Sequence, residues 1–316
     1  AASAAFDLGR LGITLVGHIE WQALAVTLPT MSTEHWLRRA EIAPALLLTL
    51  PDSPGLSLTA RVSALGAAFT QGFQNGLKLY GPATVRPIAT AKHFIGDGGV
   101  VFGTSDFAMA GGRSRLDRGD TRGDHAALLA RHLPPYQAQI DAGVRSVMVS
   151  FSSWNGKPMH AHTPLLKDVL RKQLGFTGLI VSDWEAVQLL PGNFETQVAT
   201  ATNAGVDVLM EPQKTAEVLA ALRKGVASQT ISSARIDEAV GNILRVKFEM
   251  GLFEQTGPVE AAEASIGSPE HRAIARELVR KSQVLLKNDA ALPLKRNQHI
   301  LVAGEHAEDL GLQSGG

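Results

Sequence analysis

The sequence contains no cysteine, which excludes disulfide staples, cysteine-ligated zinc and a thiolate nucleophile. Neither sign of charge is in surplus, with 30 basic and 30 acidic side chains, and no basic stripe is interleaved with aromatics. The electrostatic footprint of a nucleic-acid binder is therefore missing, and no nucleic-acid partner is expected. Long apolar runs are lacking as well: the longest candidate, residues 43–50, has the length of a strand or core helix and falls far short of a membrane span. No membrane partner is expected. The opening Ala1-Ala2-Ser3-Ala4-Ala5 has no basic n-region and no long apolar stretch. Absent cysteine fits cytoplasm and periplasm alike, so the compartment stays open, with a periplasmic or secreted setting slightly favoured.

What is present is enough for a sizeable core: 316 residues, 45% of them hydrophobic. Short β-rich runs at residues 12–16, 43–50, 86–95, 145–153, 176–184 and 206–210 alternate with helical patterns. Strand, helix, strand in succession predicts a parallel α/β fold. Ile236, Val240, Ile243 and Leu244 recur at helical spacing between a Ser233 cap and Gly251, and predict a helix there. A second helix opens at Ser268-Pro269-Glu270 and runs on through Ile274, Leu278 and Val279. Residues 288–298, with Pro293, break the periodicity, and a fresh strand is predicted over residues 299–303. The six strands before this break are two short of a closed eight-stranded (β/α) barrel.

Parallel α/β folds carry their chemistry at the carboxyl ends of strands. Asp183 emerges at such an end, after the apolar run that closes at Ser182, and Trp184 follows it. A carboxylate beside an indole suits sugar chemistry, because the ring face stacks on C–H groups while the carboxylate attacks or stabilises an oxocarbenium-like centre. The plainer reading is that Asp183 caps the next helix. Lys92-His93 closes another strand before a turn rich in glycine, Gly96-Asp97-Gly98-Gly99. Lys92 could bind hydroxyls, form a Schiff base for lyase or aldolase chemistry, or pair with a core carboxylate. His160 and His162 lack a third ligand at metal spacing and read as a polar loop. The Arg-Gly-Asp triplets at 118–120 and 122–124 read as a turn-rich loop, and Glu185 and Glu211 as structural or rim residues.

The two strand-end runs, with Ser150-Phe151-Ser152-Ser153-Trp154-Asn155-Gly156 between them and Asn203-Ala204-Gly205-Val206-Asp207-Val208-Leu209-Met210 after them, resemble glycoside hydrolase family 3 in its β-glucosidase and exo-glucanase branch. The likeness continues through Val284-Leu285-Leu286-Lys287-Asn288 and Ile300-Leu301-Val302-Ala303-Gly304. It implies a TIM-like (β/α) barrel over residues 1–255, a linker with a linking helix over 256–298, and the truncated start of a second α/β sandwich domain over 299–316. It also implies retaining hydrolysis that releases terminal non-reducing β-D-glucosyl units from β-glucosides or β-glucan oligosaccharides. Asp183 matches the family's nucleophile, Trp184 its sugar platform, and Lys92 and His93 its hydroxyl-binding pair. No metal and no organic cofactor are implied.

The chain also departs from the pattern. Phe151 stands where this branch usually has a tyrosine. The family's Gly-x-Asp-Ala-x-His-Gly run has no clear counterpart in residues 12–20, and residues 45–63 show no match to its arginine-containing run. Its acid/base glutamate belongs to the second domain, so a separate or missing second domain is expected to supply it. In another branch an Asp-x-His dyad serves as acid, but the loop holding Asp106, Asp117, Asp120 and Asp124-His125 has no matching dyad. The alternative expectation is a sugar-binding remnant, or an impaired fragment without its general acid.

Overall fold

A computed structural model describes residues 4–8, 13–17, 58–75, 87–105, 107–109, 112–254, 267–283 and 285–313. The strand expected over 43–50, Asp106 and residues 45–57 of the 45–63 segment lie outside the described residues. In chain order the strands are β1 (Ala4–Leu8), β2 (Ile13–Gly17), β3 (Thr90–Phe94), β4 (Ala108–Met109), β5 (Gly112–Arg113), β6 (Asp120–Thr121), β7 (Ser146–Val149), β8 (Ser153–Trp154), β9 (Lys157–Pro158), β10 (Leu179–Val181) and β11 (Leu285–Asn288). The main helices are α1 (Leu58–Asn75), α2 (His125–His132), α3 (Pro134–Asp141), α4 (Phe194–Ala204), α5 (Thr215–Ala227), α6 (Ser233–Glu249) and α7 (Pro269–Ser282). The chain divides into two compact units, one over residues 20–278 and the other joining residues 2–19 to 279–316.

The larger unit is built on a parallel sheet in the order β10-β7-β3. Leu179 and Thr90 both register with Ser146, so all three strands start level and finish at the same edge. Val147, Val149 and Ile180 are fully buried, as strands covered on both faces require. The run at 206–210 adds only a bridge between Val208 and Val181 instead of the strand expected there. Its backbone is diverted into hydrogen bonds with β10 and the turn after it: Val208 N–H donates to Ile180, Ser182 N–H to Val208 and Glu185 N–H to Met210.

Buried polar groups fix the other end of the sheet. Gln74, at the close of α1, donates to Gly143 at 2.7 Å and accepts from the amides of Ala89 and Arg145 at 3.1 and 3.2 Å. One amide side chain thus clips together the starts of β3 and β7. Asp207, whose side chain is fully buried, accepts from Arg171, Arg235 and the Ile180 amide at 2.5, 2.6 and 2.9 Å. The network ties β10 to the π-bonded helix Pro164–Gln173 and to α6. Gly178 lets the start of β10 lie close against the start of β7, since a Cβ there would clash with the carbonyl oxygen of Arg145.

Helix α6 forms as its periodicity predicts, but its cap is Ser232, which accepts from the Arg235 amide, and not Ser233. Helix α7 begins at Pro269, with Ser268 Oγ accepting from His271 N–H.

In the smaller unit β2 lies between β1 and β11, antiparallel to both. The described part of the run at 12–16, from Ile13, is thus a strand, but one with antiparallel neighbours. The strand expected over 299–303 is not formed: these residues have no ladder, and Ile300, Leu301 and Val302 are exposed. A strand needs a neighbour for its backbone groups, and among the described residues none lies beside it. The apolar composition of this run therefore does not produce a strand.

Candidate active site

Because β3, β7 and β10 run parallel and end level, their carboxyl ends bring Lys92 and His93, Phe151, and Asp183 to one rim. Ser182 is fully buried, and its Oγ accepts from Met210 N–H at 2.7 Å. The chain then turns sharply, with Glu185 in the left-handed region at φ 53°. Below the turn the buried Glu211 accepts from Val187 N–H at 3.2 Å and from Gln188 at 2.6 Å, which makes it structural as expected.

The carboxyl group of Asp183 is asymmetric. Oδ1 accepts from Trp184 N–H at 2.7 Å, whereas Oδ2 faces His93 Nε2 at 3.6 Å, beyond hydrogen-bond reach. Burial pushes this carboxyl above the ordinary aspartate range. The Trp184 amide, first, and the neighbouring imidazole and ammonium groups oppose that shift, and Asp97 adds to it. Asp183 does not cap the following helix: its bond is to the amide of the very next residue, and the 3₁₀ turn Ala186–Leu189 has Glu185 at its N-cap with no side-chain bond. Trp184, 51% exposed, leaves its indole available beside the carboxylate.

Sequence reasoning passed over three neighbours. His160, read as part of a polar loop, is buried and accepts the Asp183 backbone N–H on Nε2 at 3.0 Å. Burial drives its pKa down to about 3, so the ring is neutral. Asp97 holds His93 Nδ1 at 2.9 Å. Arg118 lays its guanidinium between the rings of Phe107 and Phe151, 3.6 and 4.0 Å from their centroids. Phe151 in turn meets His160 edge to face. Glycine within three residues of His93 could have pointed to Asp97; no local signal marks His160 or Arg118.

Two carboxylates of the loop after β5 are occupied elsewhere. Asp120 accepts from Ser153, Arg122 and Gly156 N–H at 2.5, 2.6 and 2.8 Å. Asp124 caps α2 through Ala127 N–H, and His125 accepts from the Trp154 indole at 3.1 Å. The triplets at 118–120 and 122–124 are thus parts of a folded loop. His162 accepts from Leu165 N–H, and among the described residues no group of three or more ligating side chains could hold a metal ion.

Comparison with known proteins bears on the same segment. Residues 57–246 match the glycosyl hydrolase family 3 N terminal domain. The chain is 40% identical over 189 residues to a periplasmic β-glucosidase of Salmonella typhimurium, covering 56% of this chain and 24% of that protein. It is 34% identical to a β-xylosidase of Formosa agariphila, over 78% of this chain and 35% of the relative. Among solved structures it is similar to an exo-1,3/1,4-β-glucanase from a Pseudoalteromonas species, with 40% identity and a TM-score of 0.64, covering 78% of this chain and 29% of the other. It is also similar to a β-glucosidase from Listeria innocua in complex with glucose, at 28% identity and a TM-score of 0.63, over 75% and 32% of the two chains. The chain spans about a quarter to a third of the length of these relatives. The fold is the TIM-like (β/α) barrel of that N-terminal domain, represented here by the parallel sheet and its helices. The match covers every strand that brings Lys92, His93, Phe151 and Asp183 to the rim, and on that match the chain belongs to glycosyl hydrolase family 3.

Proposed function

We propose that the chain binds the terminal β-D-glucosyl unit of a β-glucoside or β-glucan and accepts it on Asp183 as a covalent glycosyl-enzyme. The observation that supports this most is the Oδ2 of a largely buried carboxylate, which makes no hydrogen bond while the other oxygen is already bonded. In the family's retaining mechanism such an oxygen attacks the anomeric carbon as the leaving oxygen departs. Lys92 and His93 hold the sugar hydroxyls, and Trp184 supplies an apolar face for the ring. Phe151 lines the same rim without a hydroxyl of its own, backed by Arg118.

No described residue serves as the leaving-group acid in this reading, and a glutamate of a second domain is the expected source. The periplasmic names of relatives from Salmonella and from Dickeya chrysanthemi favour a periplasmic or secreted protein. Among the described residues no helix is long and apolar enough to cross a membrane.

Leaving groups of different basicity provide the test. Losing a positioned acid costs about 10² to 10⁴ in rate, so cellobiose is expected to be nearly inert to this chain alone. Dinitrophenyl β-glucoside leaves without protonation and is expected to give a burst of phenolate followed by slow turnover, which added azide accelerates by forming β-glucosyl azide. Similar rates on both substrates would place an acid within the 316 residues. Glucose binding without any burst would favour the sugar-binding remnant.

A further inference from the structure

We propose that Asp97 is a positioning residue that keeps the attacking oxygen of Asp183 free by holding the proton of His93 on Nδ1. The proposal rests on the glycosidase reading only for its kinetic arm.

An extended strand rises about 3.3 Å per residue, so the fourth residue after His93 would ordinarily stand about 13 Å away. Here the strand is reversed immediately. Gly96 adopts φ 95°, residues 97–99 form a 3₁₀ turn, and Gly99 N–H closes it on Gly96 O at 2.8 Å. A Cβ at Gly96 would meet the Trp154 ring at 3.0 Å, and the Gly96 carbonyl also accepts from Thr121 Oγ1 at 2.5 Å. Glycine is required by both the left-handed backbone and the close ring. The turn carries Asp97 back so that its Oδ2 stands 2.9 Å from His93 Nδ1, with both side chains largely buried.

The other face of the same imidazole looks at Asp183 Oδ2 across 3.6 Å. Which nitrogen of a neutral imidazole carries the proton is set by the hydrogen bond the other makes. Asp97, an acceptor, draws the proton to Nδ1 and leaves Nε2 as a lone pair. The opposite tautomer would point an N–H at Asp183 Oδ2, where an approach of about half an ångström would close a hydrogen bond onto the oxygen that Trp184 leaves free and weaken it as a nucleophile. With the proton on Nδ1, Nε2 can instead accept from a sugar hydroxyl. Asp97 acts on the site through His93 alone. Lys92, Tyr136, Asp183 and, through the Asp183 amide, His160 are the other titratable groups around this pair.

The test compares wild type with Asp97→Ala and Asp97→Asn in the full chain, using two readouts. Nitrogen-15 histidine spectra, with His93 assigned through His93→Gln, report its tautomer. Labelling of Asp183 by dinitrophenyl 2-deoxy-2-fluoro-β-glucoside separates the rate constant of attack from reagent binding. Expected for Asp97→Ala are a shift of the His93 proton to Nε2, an attack rate constant about tenfold or more lower, and reagent binding within about threefold, given that a hydrogen bond to a charged group is lost. Asp97→Asn keeps an acceptor oxygen and is expected to retain the Nδ1–H tautomer and most of the rate. It carries the test if the alanine variant does not fold. An unchanged tautomer in Asp97→Ala, or a changed tautomer with an unchanged attack rate, would overturn the proposal; so would a loss of rate in Asp97→Asn despite a retained Nδ1–H tautomer. If wild type is not labelled at all, the glycosidase reading fails on its own, and the spectra alone decide whether Asp97 sets the His93 tautomer.

Discussion

The backbone amide of Asp183 donates to Nε2 of His160 at 3.0 Å, from a residue 23 positions earlier in the chain. The contact fixes the start of the turn that presents the carboxylate, and it requires a neutral ring with Nε2 unprotonated. Burial enforces that state by lowering the pKa of His160 to about 3.

The first prediction follows from that lowered pKa. A histidine that is neutral when folded but titrates normally when unfolded contributes stability that is present above its unfolded pKa, about 6.5. That contribution is lost as pH falls from there towards 3, at about 1.4 kcal/mol per pH unit for one proton. His160→Gln keeps an acceptor for the Asp183 amide and does not titrate. Urea unfolding between pH 7 and pH 4 should show wild type losing stability more steeply than the variant, and parallel curves would contradict the assignment.

Asp183 gives the opposite sign. Its folded pKa is raised, chiefly by burial, so its stability contribution is full below the unfolded value of about 3.9 and is lost as pH rises through the folded pKa. Asp183→Asn removes that penalty and should melt higher than wild type at pH 7, with the difference vanishing near pH 3. The same variant should lose covalent labelling and turnover entirely. Thermal melts at the two pH values and a labelling assay check both halves.

Lys92→Ala should raise the glucose dissociation constant about tenfold or more, because charge-assisted hydrogen bonds contribute about 1.5–3 kcal/mol. His93→Ala should lose somewhat less. Calorimetric titration with glucose decides this: changes under twofold in both variants would make the pair structural.

Much of this arrangement was legible in the sequence. Apolar runs ending in Ser182-Asp183 and in Lys92-His93 placed both at strand ends, because strand termination is a local signal, and the parallel sheet follows from the succession of strands and helices. What stayed hidden depends on distant partners. His160 reads as a loop residue until the fold carries it under Asp183. Arg118 reads as part of a turn until Phe107 and Phe151 close on its two faces. Residues 299–303 have strand composition but no neighbour among the described residues, and residues 206–210 spend their backbone groups on β10 and its turn. Composition specifies the tendency; pairing decides the outcome.

Asp207 offers a test of the scaffold independent of the chemistry. Its carboxylate is the shared acceptor of two arginines, Arg171 and Arg235, at 0% exposure. Removing one partner of a buried ion pair typically costs about 3–5 kcal/mol, so Asp207→Leu should unfold at much lower urea. A loss below about 1 kcal/mol would show the arginines satisfied without it.

The most direct measurement is the site of covalent capture. After incubation with dinitrophenyl 2-deoxy-2-fluoro-β-glucoside, intact mass should rise by one fluoroglucosyl group, and peptide mapping should place it on Asp183. An adduct on any other carboxylate, or an unmodified Asp183 after phenolate has been released, would contradict the assignment of Asp183 as the residue that accepts the sugar.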